Sequence, residues 1–108
     1  MHGMTKVMVA LALCSAMGAA SSAEYNGLVS DIQPNHSTAN CFFFRLEGVT
    51  ITPASPGNWF AVSYTSNGAK ETFASVLAAK LSGVPVKVTT LSTTPTVCNY
   101  AEATYVAL

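Results

Sequence analysis

Residues able to do chemistry are few in this chain. His36 stands in a polar loop beside Asp31 and Ser37, so the letters of a hydrolytic triad are present. A working triad needs a histidine oriented by an acid and bonded to a nucleophile, and short sequences contain these letters by chance. No catalytic role is therefore expected, and the chain reads as a non-enzyme. Cys41 and Cys98 are the other candidates. With His36 they fall short of the ligand set that zinc takes, and no glycine-rich phosphate loop or Gly-x-Gly pattern occurs. Neither metal nor cofactor is expected. Asn35-His36-Ser37 matches an N-glycosylation acceptor, which has meaning only in a eukaryotic secretory pathway.

The cysteines instead report on compartment. Lys6 is followed by an apolar run from Val7 to Ala20 and then by Ser21-Ser22-Ala23, small residues of the kind a signal peptidase reads. Residues 1–23 are expected to be a secretory signal peptide and residues 24–108 a single domain, with a cut after Ala20 as the alternative. The run is shorter than the about 20 apolar residues of a membrane span, so membrane insertion is not expected. Cys14 lies within it after Leu13, where a lipoprotein signal would carry a small residue. Cleavage would leave Cys41 and Cys98, and an even count in a small exported domain reads as a disulfide; two separate buried thiols are the alternative. Closing that loop contributes about 4 kcal/mol in the chain-entropy account. Export into an oxidising compartment, secreted or periplasmic, is expected.

Charge removes further classes. In residues 24–108, Arg45, Lys70, Lys80 and Lys87 stand against Glu24, Asp31, Glu47, Glu71 and Glu102, four minus five, a net charge of −1. Nucleic-acid binding draws on clustered Lys and Arg, and no cluster exists, so no nucleic-acid partner is expected. Only 9% of the chain is charged, against about a quarter in an ordinary domain. So neutral a surface is often buried against other subunits, and a homo-oligomer is expected.

The elements follow from periodicity and turn chemistry. Tyr25 to Ile32 is β-like and ends at Gln33-Pro34-Asn35. In "CFFFRLEG", Cys41 to Gly48, alternation sets Phe42, Phe44 and Leu46 on one side and Cys41, Phe43, Arg45 and Glu47 on the other. Val49 to Thr52 is strand-prone, and Pro53-Ala54-Ser55-Pro56-Gly57 terminates pairing. Asn58 to Tyr64 alternates Phe60, Val62 and Tyr64 against Trp59, Ala61 and Ser63. Lys70 to Ser82 reads as a helix, with Glu71 near its positive end, Gly83 as its stop and Pro85 just beyond. Val84 to Leu91 alternates, with Val84, Val86 and Val88 inward, and Glu102 to Leu108 is the final strand. The order β-β-β-α-β-β is that of the OB fold, a small barrel with its helix between strands three and four, and other α+β arrangements fit the order too. A Cys41–Cys98 bridge favours that barrel, because it would tie the start of strand two to the approach to strand five.

Two surfaces are left to explain. Phe43 lands on the polar side of its strand, and its expected cover is a neighbouring subunit or the helix. On the helix, Phe73, Ala74, Val76, Leu77 and Leu81 make an apolar arc, while Ser75, Ala79 and Ser82 make a small face that either receives a second backbone or is simply exposed. Phe43, Ser75 and Ala79 are thus candidate subunit-interface residues. Tyr25, Asn26, Trp59, Tyr64, Tyr100 and Tyr105 are aromatic or amide-bearing side chains that can stack on sugar rings or bond hydroxyls without charge; core or interface packing is the alternative for each.

"NGLV", "CFFFRLEG", the "FASVLAAKLSG" helix running directly into "VPVKVTTL", and the ending "CNYAEATYVAL" together resemble the OB-fold receptor-binding B subunits of bacterial AB-type toxins. Gly83-Val84-Pro85-Val86 is similar to the step between helix and strand in the subtilase cytotoxin type. The resemblance implies a pentameric ring with strands pairing across subunits and helices lining a pore. It further implies a cell-surface glycan as receptor and a catalytic A subunit as partner. Asn26 matches the position where that type carries a sugar-contacting serine, a departure that places sialic acid itself in question. Asn26, Trp59 and Tyr64 are the candidate glycan-binding residues.

Overall fold

The computed structural model describes residues 23–35, 39–51, 55–90 and 97–108. Residues 1–22 of the expected signal segment, Cys14 among them, and the His36-Ser37 part of the triad and glycosylation readings lie outside the described residues, while Ala23, the last residue of that segment, opens β1. The elements are β1 (Ala23–Gly27), β2 (Val29–Gln33), β3 (Cys41–Leu46), β4 (Phe60–Ser63), α1 (Ala69–Ser82), β5 (Val86–Thr90), β6 (Ala101–Glu102) and β7 (Tyr105–Ala107). They form two sheets, a three-stranded one in the order β1-β5-β7 and a four-stranded one in the order β2-β3-β4-β6. All pairs are antiparallel except β4 with β6.

The single first strand expected over Tyr25 to Ile32 is in fact two, one in each sheet. Leu28 separates them, and the β2–β3 register shifts between Val29 and Asp31. Gly27 lies against β3, where a Cβ would come within 3.4 Å of the Leu46 side chain and the Glu47 carbonyl. The final strand divides likewise into β6 and β7 around Ala103 and Thr104. Ala103 donates its N–H to Ala61 O and Thr104 to Thr89 O, one bond into each sheet. A domain of two sheets and one helix results, rather than one continuous closed sheet. Residues 49–51 are not a strand; Ile51 is buried and its N–H donates to Asn58 Oδ1 at 3.2 Å. Val84 precedes β5 and is exposed, while Val86 and Val88 point inward.

Phenylalanines fill the core. Phe42, Phe44 and Phe60 are fully buried, with Phe44 stacked on Phe60 at 5.3 Å and Tyr25 edge-on to Phe60 at 5.5 Å. Helix α1 begins after Gly68 and stops at Gly83, both left-handed, and the Gly83 N–H bonds to Ala79 O and Lys80 O. The expected arc is buried in part: Val76 points inward and Phe73 packs edge-on to Phe42 at 5.2 Å, Ala69 and Ala79 join them from outside the arc, and Ala74, Leu77 and Leu81 are exposed. Where three phenylalanines already occupy the interior, short side chains let the helix approach at native packing density. Ala79, expected at a subunit interface, is therefore a core residue, 2% exposed, and Ser75 is half-buried.

Cys41 and Cys98 form the expected disulfide, linking the start of β3 to the approach to β6. Ser55, buried, fastens the same region: its hydroxyl donates to Trp59 O at 2.9 Å and accepts from Ala101 N at 3.0 Å.

Candidate functional site

The site is built on the outer face of the four-stranded sheet. Alternation that sends Phe42, Phe44 and Leu46 inward sends Phe43 and Arg45 outward, and antiparallel register sets Gln33 opposite Phe43 and Asp31 opposite Arg45. Trp59 stands immediately before Phe60, the β4 partner of Phe44, and so lies beside Arg45. The Arg45 guanidinium carbon is 4.6 Å from the centre of the Trp59 ring. On its other side Arg45 donates to Asp31 Oδ2, from Nε at 3.1 Å and from a terminal nitrogen at 2.9 Å. Hydrogen bonding from Ser30, then from Arg45 together with its charge, holds the Asp31 carboxylate below its usual range against the opposing effect of burial.

Phe43 is covered from within the chain, not by a neighbour or by the helix. Val97 and Tyr100 exchange two backbone hydrogen bonds, 2.8 and 3.0 Å, around Cys98 and Asn99. Both central residues have positive φ, 52° and 70°, as a two-residue type I′ turn requires. The disulfide pins this turn to Cys41, and Tyr100 comes down edge-on to Phe43 at 5.2 Å. Phe43 is left 4% exposed within this one chain.

Beside this cover lies a depression of about 240 Å³ lined by Gln33, Phe43, Trp59, Asn99 and Tyr100 with Ala39 and Cys98. Its lining is uncharged: aromatic faces, two side-chain amides and a phenol. Gly57 supports the tryptophan, since at φ 61° it takes the left-handed conformation and a Cβ there would lie 3.0 Å from Trp59 Cδ1. Such a surface can stack on the apolar face of a ring and bond hydroxyls. Among the described residues no group of three or more His, Cys, Asp or Glu gathers to hold a metal, and no helix is long and apolar enough to cross a membrane.

Of the three residues expected to bind a glycan, only Trp59 lines this depression. Asn26 is exposed on β1, in the other sheet, opposite Lys87. Tyr64 turns to the core side, 5.7 Å from the Phe42 ring, and its hydroxyl donates to Pro34 O. Gln33 and Asn99 were not among the expected residues. The signal for Asn99 was its place next to Cys98, because a bridge to Cys41 carries residues 99 and 100 over the exposed side of β3.

Compared with known protein families, curated proteins and solved structures, the chain matches none.

Proposed function

We propose that this chain is a secreted, non-catalytic binding subunit that recognises a cell-surface glycan. The observation that carries this reading is the uncharged depression beside Trp59, Asn99 and Tyr100, preset by a disulfide-anchored turn. Pre-organised aromatic and amide groups hold a neutral, hydroxyl-rich ligand at little ordering cost. At about 240 Å³ it suits one sugar ring rather than a ligand of the about 300–1,000 Å³ class.

On this reading the two sheets are halves of an OB-type barrel. What supports this is that Leu28 alone separates β1 from β2, and Ala103 and Thr104 alone separate β6 from β7, so the same two stretches of chain run through both sheets. The subunit assembles as a homo-oligomer, a pentameric ring in the toxin-like reading, with a catalytic A subunit as partner. Exposed Leu77, Leu81 and Val84 supply the apolar surface that the buried Phe43 and Ala79 cannot. The alternative reading is a periplasmic or secreted OB-like protein, unrelated to toxins, that binds another protein or a small ligand, and the same three exposed residues favour its protein-binding form.

A glycan array probed with the disulfide-bonded protein tests the function. Reproducible retention of one saccharide class is the expected result, and a blank array from folded protein would favour the protein-binding reading. Sedimentation at micromolar concentration tests assembly, with a species larger than monomer expected.

A further inference from the structure

A second depression adjoins the first. It is more open, about 390 Å³, and its lining includes Ser30, Asp31, Arg45, Glu47, Thr50 and Asn58. The two differ in chemistry, one aromatic and amide, the other hydroxyl and charge. Neighbouring residues divide between them: Asn58 lines the second and Trp59 the first. Arg45, seated 4.6 Å over the Trp59 ring, belongs to the lining of the second, so the cation–aromatic pair is the wall that both share.

That wall is held from several directions. Asp31 fixes the guanidinium through two hydrogen bonds, and the Ser55 hydroxyl bonds the Trp59 carbonyl. Asn58, at φ 58°, accepts the Ile51 N–H, which joins the chain entering the second depression to the turn before β4. Glu47 and Thr50 are exposed at its rim. A ligand confined to the first depression leaves these groups unused, whereas a chain of linked rings leaving Trp59 meets them next.

We propose that the outer face of the four-stranded sheet carries two adjoining subsites, divided by the Arg45–Trp59 stack, that together bind a glycan of at least two sugar units. One ring stacks in the depression of Trp59 and Tyr100 and bonds Gln33 and Asn99. The next unit passes over the wall and presents hydroxyls to Thr50 and Glu47, whose acceptor oxygens suit a neutral polyhydroxylated ring. This inference rests on the glycan reading above.

The test is an array printed with matched mono-, di- and trisaccharides, probed with wild type and with a Thr50→Ala/Glu47→Ala double variant whose near-UV circular dichroism matches wild type. Wild type is expected to bind a disaccharide at least tenfold more tightly than the monosaccharide it contains. The double variant is expected to bring disaccharide binding down to the monosaccharide level and leave the monosaccharide unchanged. Equal binding of mono- and disaccharide by wild type, or a double variant that keeps the preference, overturns the two-subsite inference and leaves the glycan reading standing. A blank array overturns both.

Discussion

Arg45 is clamped between an acid and an aromatic: its guanidinium carbon lies 4.6 Å from the Trp59 ring centre while its nitrogens bond Asp31 Oδ2 at 2.9 and 3.1 Å. Trp59 is the single tryptophan of the chain, so its fluorescence reads this one contact. Arg45→Ala is expected to shift the emission spectrum and to lower stability by about 1 kcal/mol, since the ion pair and the cation–π contact are both partly exposed. An unchanged spectrum would mean that the indole is not held by the guanidinium.

The Asp31 end of the clamp gives a pH dependence with a definite sign. Its carboxyl is held below the ordinary value of 3.8, first by Ser30 and then by Arg45. A depressed folded value means that the contribution is complete above the unfolded value and is lost as pH falls through the folded one. Trp59 emission should therefore be flat from neutrality down to the ordinary aspartate range and change only below pH 3.8. In Asp31→Asn that acid step should disappear. A step of the same size in the variant would assign it to another group.

Burial of Phe43 under Tyr100 makes a prediction about stability rather than assembly. Phe43→Ala should cost about 3–5 kcal/mol, as for other buried phenylalanines. The measurement is the denaturant midpoint of the oxidised protein. A loss under 1 kcal/mol would place the ring at an open surface and return it to the subunit interface.

Ser55 joins two segments far apart in sequence through one hydroxyl. Ser55→Ala leaves the Ala101 N–H, now bonded at 3.0 Å, without its partner in a buried place, and should cost about 1–3 kcal/mol. Hydrogen exchange checks it directly: the Ala101 amide should lose protection in the variant, and retained protection would show a replacement acceptor.

How much of this was legible in the sequence depended on whether local pattern or tertiary contact decided the matter. Alternation in residues 41–46 gave the correct faces, because one side of that strand meets a phenylalanine core. Gly83 marked the helix stop, and the cysteine count gave the disulfide. The buried face of α1 was legible only in part: Phe73 and Val76 lie in the expected arc, but hydrophobicity alone also favours Leu77 and Leu81, whereas the space left by Phe42 and Phe44 admits Ala69 and Ala79. The division of the first strand at Leu28 has no local signal stronger than Gly27. In the site, Trp59 was legible as an aromatic residue on the outward side of its strand. Gln33 and Asn99 became visible only once register and the Cys98 turn had set them beside it.

Asn99 offers the most direct test of the central claim, that the depression beside Trp59 binds sugar. At φ 70° this position accepts glycine without strain, so Asn99→Gly removes the amide while the turn and the disulfide persist. Wild type and Asn99→Gly, matched by circular dichroism and thermal midpoint, are compared on one glycan array. Retention of a saccharide class by wild type with at least a tenfold weaker signal from the variant is the predicted result. Equal retention by both proteins, or none by wild type, would contradict it.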